Sequence, residues 1–272
     1  MKQCMIKKDH WEETTFLDIE WEAHKRAANR QHKQRTTLNK HLENFLSIGK
    51  VVSRFDRVKY WSDCPTCSTG DGTCLETCSH VYRCPTKNNW RKQFMSGLRK
   101  KLDLLGTEID LMEMMLGGVK CALTGQPFRL PLDPRNIAAS QEAIGWINMF
   151  KVWMSKHSIE RQRDCIGGKA VKKNNALNWR ITMIDYFFSQ WFKVWYQRNL
   201  DRHGHDYQGR ANKLKDVAYR EITHLYTFKE AAPEDIRWLF QTPLEECLQW
   251  PLCCMRALIS NWENVIRKDY AT

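Results

Sequence analysis

The sequence has no long apolar run. No stretch of its 272 residues approaches the roughly 20 consecutive apolar residues that a membrane helix needs, and the first eleven residues are charged rather than apolar, which predicts no signal peptide. Internal repeats and low-complexity tracts are missing too, while a hydrophobic share of 42% is enough to form a core. We therefore expect an intracellular protein (nuclear or cytoplasmic, not secreted) of one or two domains, without a membrane partner.

Acidic residues are missing from two windows. Residues 23–42 hold six Lys and Arg and no Asp or Glu, and residues 77–102 hold seven and no acid, although the net charge of the whole chain is only +12. Such windows are typical either of solvated helix faces or of a surface that follows nucleic-acid phosphates, and the sequence leaves both open. The candidate nucleic-acid-binding residues are Arg26, Arg30, Lys33, Arg35, Arg83, Lys87, Arg91, Lys92, Arg99, Lys100 and Lys101.

Sustained strand alternation is also missing, and the apolar residues recur with the period of a helix. This pattern predicts a mainly α fold, with helical domains and an inserted loop-rich zinc-binding segment. The predicted division is residues 1–50 as basic N-terminal helices, 51–106 as the zinc-binding segment with a basic helix, and 107–272 as a Trp-rich helical domain. The predicted helices cover residues 17–28, 36–49, 90–106, 107–117, 140–153, 175–198, 214–225 and 251–268.

An aromatic stripe lines one side of the helix predicted over residues 175–198. It includes Trp179, Phe187, Trp191 and Trp195 at helical spacing. Such a stripe is typical of a buried core face, and much less of a platform on which bases stack.

Five of the 11 cysteines lie in residues 50–86, a stretch that also holds Gly70-Asp71-Gly72 and two of the eight prolines. An odd number of cysteines does not predict a disulfide framework. Cys64, Cys67, His80 and Cys84 have the spacing C-x2-C-x12-H-x3-C, which predicts a closed, structural zinc site with three sulfur ligands and one nitrogen ligand. Cys78 could replace one of the four, Cys74 and Cys78 could both be free thiols, or the cysteines could be scattered and hold no metal.

The spacing of these ligands also fits a zinc finger with two strands and a helix. The spacer between the ligand pairs, residues 68–79, lacks the hydrophobic residues that such a finger needs. A helix that enters the DNA major groove is therefore not expected from this segment.

Several short motifs follow one another in and just after this segment: Cys64-Pro65-Thr66-Cys67, Leu75-Glu76-Thr77, His80-Val81, Cys84-Pro85 and Trp90. Together they resemble the zinc-binding segment that follows the polymerase domain in open reading frames of non-LTR retrotransposons. The resemblance implies that Cys64, Cys67, His80 and Cys84 bind zinc. Cys74 and Cys78, in a longer loop, depart from the family pattern.

Two flanking elements resemble the same family in the same order. Upstream, residues 35–50 resemble the helix pair that precedes the cysteines. Downstream, Trp195, Arg198 and Asn199, followed by His203, resemble a Trp-x-x-Arg-Asn element. The resemblance covers roughly residues 17–205 and implies a region C-terminal to a reverse transcriptase.

Catalytic carboxylate motifs are missing. A polymerase of this kind needs paired aspartates, and the chain has no Asp-Asp pair. Glu234-Asp235 and Asp133 are the nearest candidates for a restriction-like nuclease, but acids next to a proline are common helix starts. The sequence His203-Gly204-His205-Asp206 is best explained as a helix-ending loop with an aspartate cap.

These observations together predict a non-enzymatic, zinc-stabilised module that binds RNA or DNA through phosphates with little sequence specificity, either free-standing or part of a longer retroelement polyprotein. Arg83, Lys87, Arg91 and Lys92 would lie beside the ion, with Tyr82 or Trp90 able to stack on a base. The alternatives are a structural or protein-interaction helical domain folded by zinc, and a degraded restriction-like nuclease.

Overall fold

Helices make up nearly all of the regular structure. The computed structural model describes residues 2–44, 46–55, 62–68, 74–129, 137–167 and 175–269. Within these ranges the β pairing is confined to isolated bridges, Ile19 with Ser155 and Asp63 with Leu75. The predicted mainly α fold is confirmed. Helices α1 to α14 are, in chain order, Lys2–Asp9, Glu13–Leu17, Trp21–Arg30, Arg35–Leu42, Gly49–Val52, Cys78–Arg83, Asn88–Leu104, Ile109–Thr124, Ile137–Ile144, Lys156–Gly167, Asn175–His203, Tyr207–Tyr226, Leu244–Cys247 and Leu252–Asp269.

Short 3-10 helices connect several of these elements. They are His32–Gln34, Pro85–Lys87, Trp146–Lys151, Lys229–Ala231 and Glu234–Phe240. None of the helices described is long and apolar enough to cross a membrane.

The chain divides into two compact units. Unit 1 consists of residues 1–46 and 78–196, and unit 2 of residues 47–77 and 197–272. The three-part division predicted from the sequence stays a prediction. Asp133, one of the nuclease candidates, and the Gly70-Asp71-Gly72 turn lie outside the described residues.

The core of unit 1 is aromatic. Phe94 on α7, Phe150 on the 3-10 helix Trp146–Lys151 and Phe187 on α11 are fully buried, with ring centroids 5.3 to 5.6 Å apart. Trp179 and Trp191 of the predicted stripe are buried as well. The stripe therefore forms core, as predicted, and stabilises α7 and α11 by burying large apolar side chains.

Helix α8 continues past the glycine pair at which the sequence predicts its end. It runs through Gly117 and Gly118 to Thr124 and ends at Gly125, whose φ of +75° is the left-handed conformation that favours glycine. A Cβ at position 118 would lie 2.2 Å from the Trp146 ring. Gly118 is therefore needed for close packing, and the prediction that it ends the helix is wrong.

The start of α8 also differs from the prediction. The helix begins at Ile109, and the side chain of Glu108 accepts a hydrogen bond from the Leu111 amide at 2.9 Å. Thr107 was the predicted start, but its hydroxyl instead accepts a hydrogen bond from the indole of Trp179.

Three other predicted helices are interrupted. The helix predicted over residues 140–153 is broken at Gly145, whose φ is +96°, between α9 and the 3-10 helix Trp146–Lys151. The helix predicted over residues 17–28 is split because the Glu20 amide donates to the Met154 carbonyl and the Asp18 carbonyl accepts from the Lys156 amide, which holds residues 18–20 outside a helix. The helix predicted to end at Gly49 ends at Leu42, and Gly49 begins α5.

Unit 2 has its own core between helices α12, α13 and α14. Ile222, Cys247 and Met255 are fully buried there, and a second cluster joins the 3-10 helix Glu234–Phe240 to α14. Helices α11, α12 and α14 correspond to helices predicted from hydrophobic periodicity, and those predictions are confirmed.

Candidate metal centre and basic groove

The four predicted ligands lie together in the structure. One ligand atom each from Cys64, Cys67, His80 and Cys84 can be chosen so that all four lie within 4.8 Å of one another. Cys64 and Cys84 are buried, while Cys67 and His80 are half-buried. Within the part of the chain that the structure describes, no other group of three or more His, Cys, Asp or Glu is placed to hold a metal ion.

Backbone pairing with residues 74–76 positions Cys64 and Cys67. The backbone of Asp63 pairs with that of Leu75, and the Cys64 amide donates to the Cys74 carbonyl at 2.8 Å. The Ser68 hydroxyl lies within hydrogen-bonding distance of the Cys74 backbone. These bonds hold residues 62–68 against residues 74–76, so that the first ligand pair directly follows an isolated antiparallel bridge.

A short helix positions His80 and Cys84. Helix α6 carries His80 and ends at Arg83, and the Cys84 amide donates to the His80 carbonyl at 2.7 Å. Residues four positions apart lie on the same helical face, which places the imidazole and the thiol side by side. Cys74 and Cys78, the alternative ligands from the sequence, are not members of the four-residue cluster.

The donor set fits a tetrahedral ion. Three sulfur atoms and one imidazole nitrogen are ligands that structural zinc sites use, and with Zn–S bonds of about 2.3 Å the sulfur atoms would be about 3.8 Å apart. The observed spread of 4.8 Å or less requires movements of only about 1 Å. No disulfide bond joins the cysteines that the structure describes, so disulfides do not compete for these sulfur atoms. The cluster could therefore hold a metal ion.

A buried carboxylate holds the loop that carries the first ligand pair. Glu76 is 1% exposed, and both of its oxygens accept hydrogen bonds from Arg198, each at 2.7 Å. Arg202 donates to the same carboxylate at 2.9 Å, and the Gly49 amide donates to it as well. Bidentate, charge-assisted hydrogen bonds of this kind are among the strongest in proteins.

The same residues also bind the backbone around the loop. Arg198 donates to the Ser47 carbonyl and Arg202 to the Asp63 carbonyl, one residue before Cys64. Burial tends to raise the pKa of Glu76, but the hydrogen bonds and positive charges of the two arginines outweigh it and lower the pKa below its usual value. Glu76 is therefore ionised at neutral pH, and this network fixes the segment before Cys64.

Two arginines next to the second ligand pair bind main-chain carbonyls. The guanidinium of Arg91 donates to the carbonyls of Cys84 and Tyr82, at 2.7 and 3.2 Å. Arg83 donates to the carbonyl of Ala122 near the end of α8. Both residues were predicted to bind nucleic acid, and the structure gives both a structural role.

A surface groove runs between α7 and α8. Its volume is about 600 Å³ and it combines an apolar floor with several cationic side chains. Three of the predicted nucleic-acid-binding residues line it, Arg91, Lys92 and Arg99. The full lining is Asn88, Arg91, Lys92, Met95, Ser96, Arg99, Glu113, Leu116, Gly117, Lys120, Leu123 and Thr124. Lys120 was missed because it lies outside both acid-free windows.

The other predicted basic residues lie mostly on the surface of unit 1. Arg26 is paired with Glu22, and Arg30 with Asp185. Lys33, Arg35 and Lys100 are exposed, and Lys87 and Lys101 are half-buried.

Two aromatic residues were predicted to stack on bases. Tyr82 is 4% exposed and its ring stacks on Phe150, so the prediction is wrong for Tyr82. Trp90 is half-buried and stacks on Phe94 with the centroids 5.3 Å apart.

The remaining candidate motifs have structural roles. Asp206 caps α12 by accepting a hydrogen bond from the Gly209 amide, as the sequence predicts for the His203–Asp206 motif. Glu234 and Asp235 begin a 3-10 helix directly after Pro233, which agrees with their interpretation as a helix start.

Comparison of the chain with protein-family models, with curated proteins and with solved structures finds no match.

Proposed function

We propose that this protein is a non-enzymatic nucleic-acid-binding module whose Cys64–Cys84 segment is stabilised by zinc. We further propose that it is similar to the region C-terminal to the reverse transcriptase of non-LTR retroelements. The observation that carries the proposal is the combination of a three-sulfur, one-nitrogen cluster with a unit that holds all of the net positive charge.

The ligand chemistry supports zinc as the metal. Three thiolates and a neutral imidazole around Zn²⁺ give a closed site of net charge −1, without an open position for a catalytic water. Iron and copper(I) also accept sulfur-rich ligands, but Cys3His with a Cys-x-x-Cys pair is a common structural zinc pattern. Such a site contributes free energy of folding to a segment that has few apolar residues of its own.

The distribution of charge supports a polyanionic partner. Unit 1 contains 28 Lys and Arg against 16 Asp and Glu, which gives +12, while unit 2 contains 15 of each. A surface with a concentrated positive charge attracts phosphates by releasing the counterions that surround a nucleic acid. The exposed Lys33, Arg35, Lys92 and Lys100 are the residues of unit 1 that fit this role best.

The metal is tested by elemental analysis of freshly purified, reduced protein. We expect about one zinc ion per chain, its loss in Cys84→Ser, and its retention in Cys74→Ser and Cys78→Ser. Cys121→Ser, which changes a half-buried cysteine outside the cluster, is the matched control. Much less than one ion per chain in the unmodified protein would remove zinc from the proposal.

Nucleic-acid binding is tested by titrating the protein with fluorescent single-stranded RNA and duplex DNA at 50 and 200 mM salt. For two to three phosphate contacts we expect affinity to fall by roughly 7- to 40-fold between these concentrations. The double variant Lys92→Glu, Lys100→Glu should weaken binding by at least a further ~10-fold, because it reverses two exposed charges of unit 1. The control, Lys213→Glu with Lys229→Glu, reverses two exposed charges of unit 2 and should change affinity by less than about twofold.

A structural or protein-interaction domain folded by zinc is the competing function. It predicts that neither double variant changes any affinity and that the unmodified protein binds nucleic acid no better than a neutral protein does. A nuclease remnant predicts Mg²⁺-dependent cleavage that is lost when Glu234 and Asp235 are replaced by alanine.

A further inference from the structure

The groove between α7 and α8 has a defined length and floor. The residues of α7 that line it extend from Asn88 to Arg99, roughly 16 Å at 1.5 Å per residue. Met95, Leu116 and Leu123 form an apolar floor, and Leu116 and Leu123 are themselves buried. A volume of about 600 Å³ lies within the range of sites that take a small molecule or one unit of a polymer.

The charge of the groove changes along its length. At the end near the turn between the helices, Arg99 and Glu113 form a bidentate ion pair. The distances from the two Nη atoms of Arg99 to the two carboxylate oxygens are 2.7 and 3.2 Å, so the two charges offset each other. At the opposite end lie the exposed Lys92 and Lys120. The groove therefore offers positive charge at one end and apolar surface with neutralised charge along the rest.

We propose that this groove binds a single-stranded nucleic acid, with backbone phosphates at Lys92 and Lys120 and an unpaired base against Met95 and Leu116. The inference rests on the proposed function and deepens it by naming the class of nucleic acid and its place on unit 1.

The shape of the groove favours a single strand over a duplex. A duplex keeps its bases stacked and paired inside and presents a convex row of phosphates, which matches the two lysines but leaves the apolar floor empty. A single strand can place an unstacked base against an apolar or aromatic surface, and such a contact is independent of sequence because every base has a flat apolar face.

The experiment fills the groove without changing its charge. Ser96 is exposed and lines the groove, so Ser96→Trp places an indole where the base would lie. Gln93 is exposed on the same helix and is not part of the lining, so Gln93→Trp is the matched control. Circular dichroism and thermal melting of both variants establish that they remain folded to the same degree.

Fluorescence anisotropy is measured with a 12-nucleotide single strand, a 12-base-pair duplex, and an abasic strand of the same charge. We expect Ser96→Trp to weaken binding of the single strand by about tenfold or more and to leave the duplex within about twofold, while Gln93→Trp changes neither. The abasic strand should bind the unmodified protein about tenfold more weakly than the normal strand, since one base contact is lost.

Lys120→Ala gives a second measurement that does not depend on the tryptophan variants. Loss of the Lys120 charge should make the dependence of log affinity on log salt concentration less steep by about 0.7 for the single strand, the amount expected for one phosphate contact.

The outcomes separate this inference from the proposed function. If no nucleic acid binds, both fail. If single strand and duplex bind equally well and Ser96→Trp behaves like Gln93→Trp, the proposed function stands and the groove is not the binding site.

Discussion

Unit 1 and unit 2 use charge in opposite ways. Unit 1 has 12 more basic than acidic residues, and unit 2 has equal numbers of both. In unit 2 a buried carboxylate, Glu76, is bound by two arginines, whereas in unit 1 the acid-free windows leave basic side chains exposed on α4 and α7. Paired charge therefore holds a segment in place inside unit 2, while the excess positive charge of unit 1 lies on exposed side chains.

The largest test of this comparison is Glu76→Gln. The substitution removes the negative charge that both arginines contact in a buried ion pair, and we expect a loss of about 3–5 kcal/mol in the free energy of unfolding of unit 2. Urea denaturation measures the loss. Hydrogen exchange should be faster at the amide of Gly49, which donates to the Glu76 carboxylate, and at the amide of Lys50, which donates to the Glu76 main-chain carbonyl. Glu245→Gln changes an exposed carboxylate of unit 2 and should cost less than about 0.5 kcal/mol. Equal effects of the two substitutions would contradict the role of Glu76.

The second test uses acid. His41 in unit 1 is 3% exposed, stacks on Trp191 and lies 2.9 Å from the Phe150 carbonyl; burial lowers its pKa to about 3. In the unfolded chain the histidine pKa is about 6.5, so between pH 6.5 and 3 the unfolded state binds a proton that the folded state does not. The free energy of unfolding therefore has its full value with respect to His41 above pH 6.5, and it falls by about 2 kcal/mol between pH 7 and 5.

Urea denaturation at pH 7 and pH 5, followed by tryptophan fluorescence, measures this loss. The free energy of unfolding differs between pH 7 and pH 5, and His41→Leu should reduce that difference by about 2 kcal/mol. Protonation of the candidate metal ligands affects the unmodified protein and His41→Leu alike and cancels in the comparison. In unit 2 the pKa of Glu76 is lowered, so ionised Glu76 stabilises the folded state in full until the pH falls below the usual pKa of a glutamate.

A smaller effect is expected from Gly118→Ala in unit 1. The new Cβ would lie 2.2 Å from the buried ring of Trp146, and overpacking of this kind costs about 1–3 kcal/mol, offset by up to ~1 kcal/mol from the better helix propensity of alanine. Gly117→Ala is the matched control, since its Cβ would meet only the Phe128 ring, at 3.2 Å. The melting temperature of Gly117→Ala should be higher than that of Gly118→Ala. The reverse order would show that packing of Trp146 does not require glycine at position 118.

The smallest effect is expected at the exposed ion pair of unit 1. Arg99 and Glu113 are both about half exposed, and Glu113→Gln should cost less than ~1 kcal/mol because water and salt screen such pairs. The same substitution frees a positive charge in the groove and should tighten binding of single-stranded nucleic acid severalfold. Anisotropy titration against the unmodified protein measures it, and unchanged affinity would argue against phosphates near Arg99.

Local signals in the sequence predicted much of this structure. Helical periodicity predicted α11, α12 and α14, because each buries one apolar face over many turns. The spacing of Cys64, Cys67, His80 and Cys84 predicted a group that the structure brings together, because ligands only two to four positions apart meet within a turn.

The remaining features depend on tertiary contacts that no local pattern contains. Gly118 resembles a helix end until Trp146, 28 positions away, packs against it. Residues 18–20 leave the helix because they hydrogen-bond to residues 154–156. Glu76 and Arg198 belong to two separate elements of the resemblance, but the sequence does not reveal that they form one buried ion pair.

That ion pair also imposes an order on biosynthesis. Glu76 and Arg198 are 122 positions apart, which a ribosome adding ~5–20 residues per second crosses in roughly 6–24 s. The 20 positions from Cys64 to Cys84 take roughly 1–4 s. All four ligand residues are therefore present on the nascent chain well before the guanidinium that anchors their loop is synthesised. An ion captured at that stage would close the segment first, and the later helix would then meet a loop that is already formed.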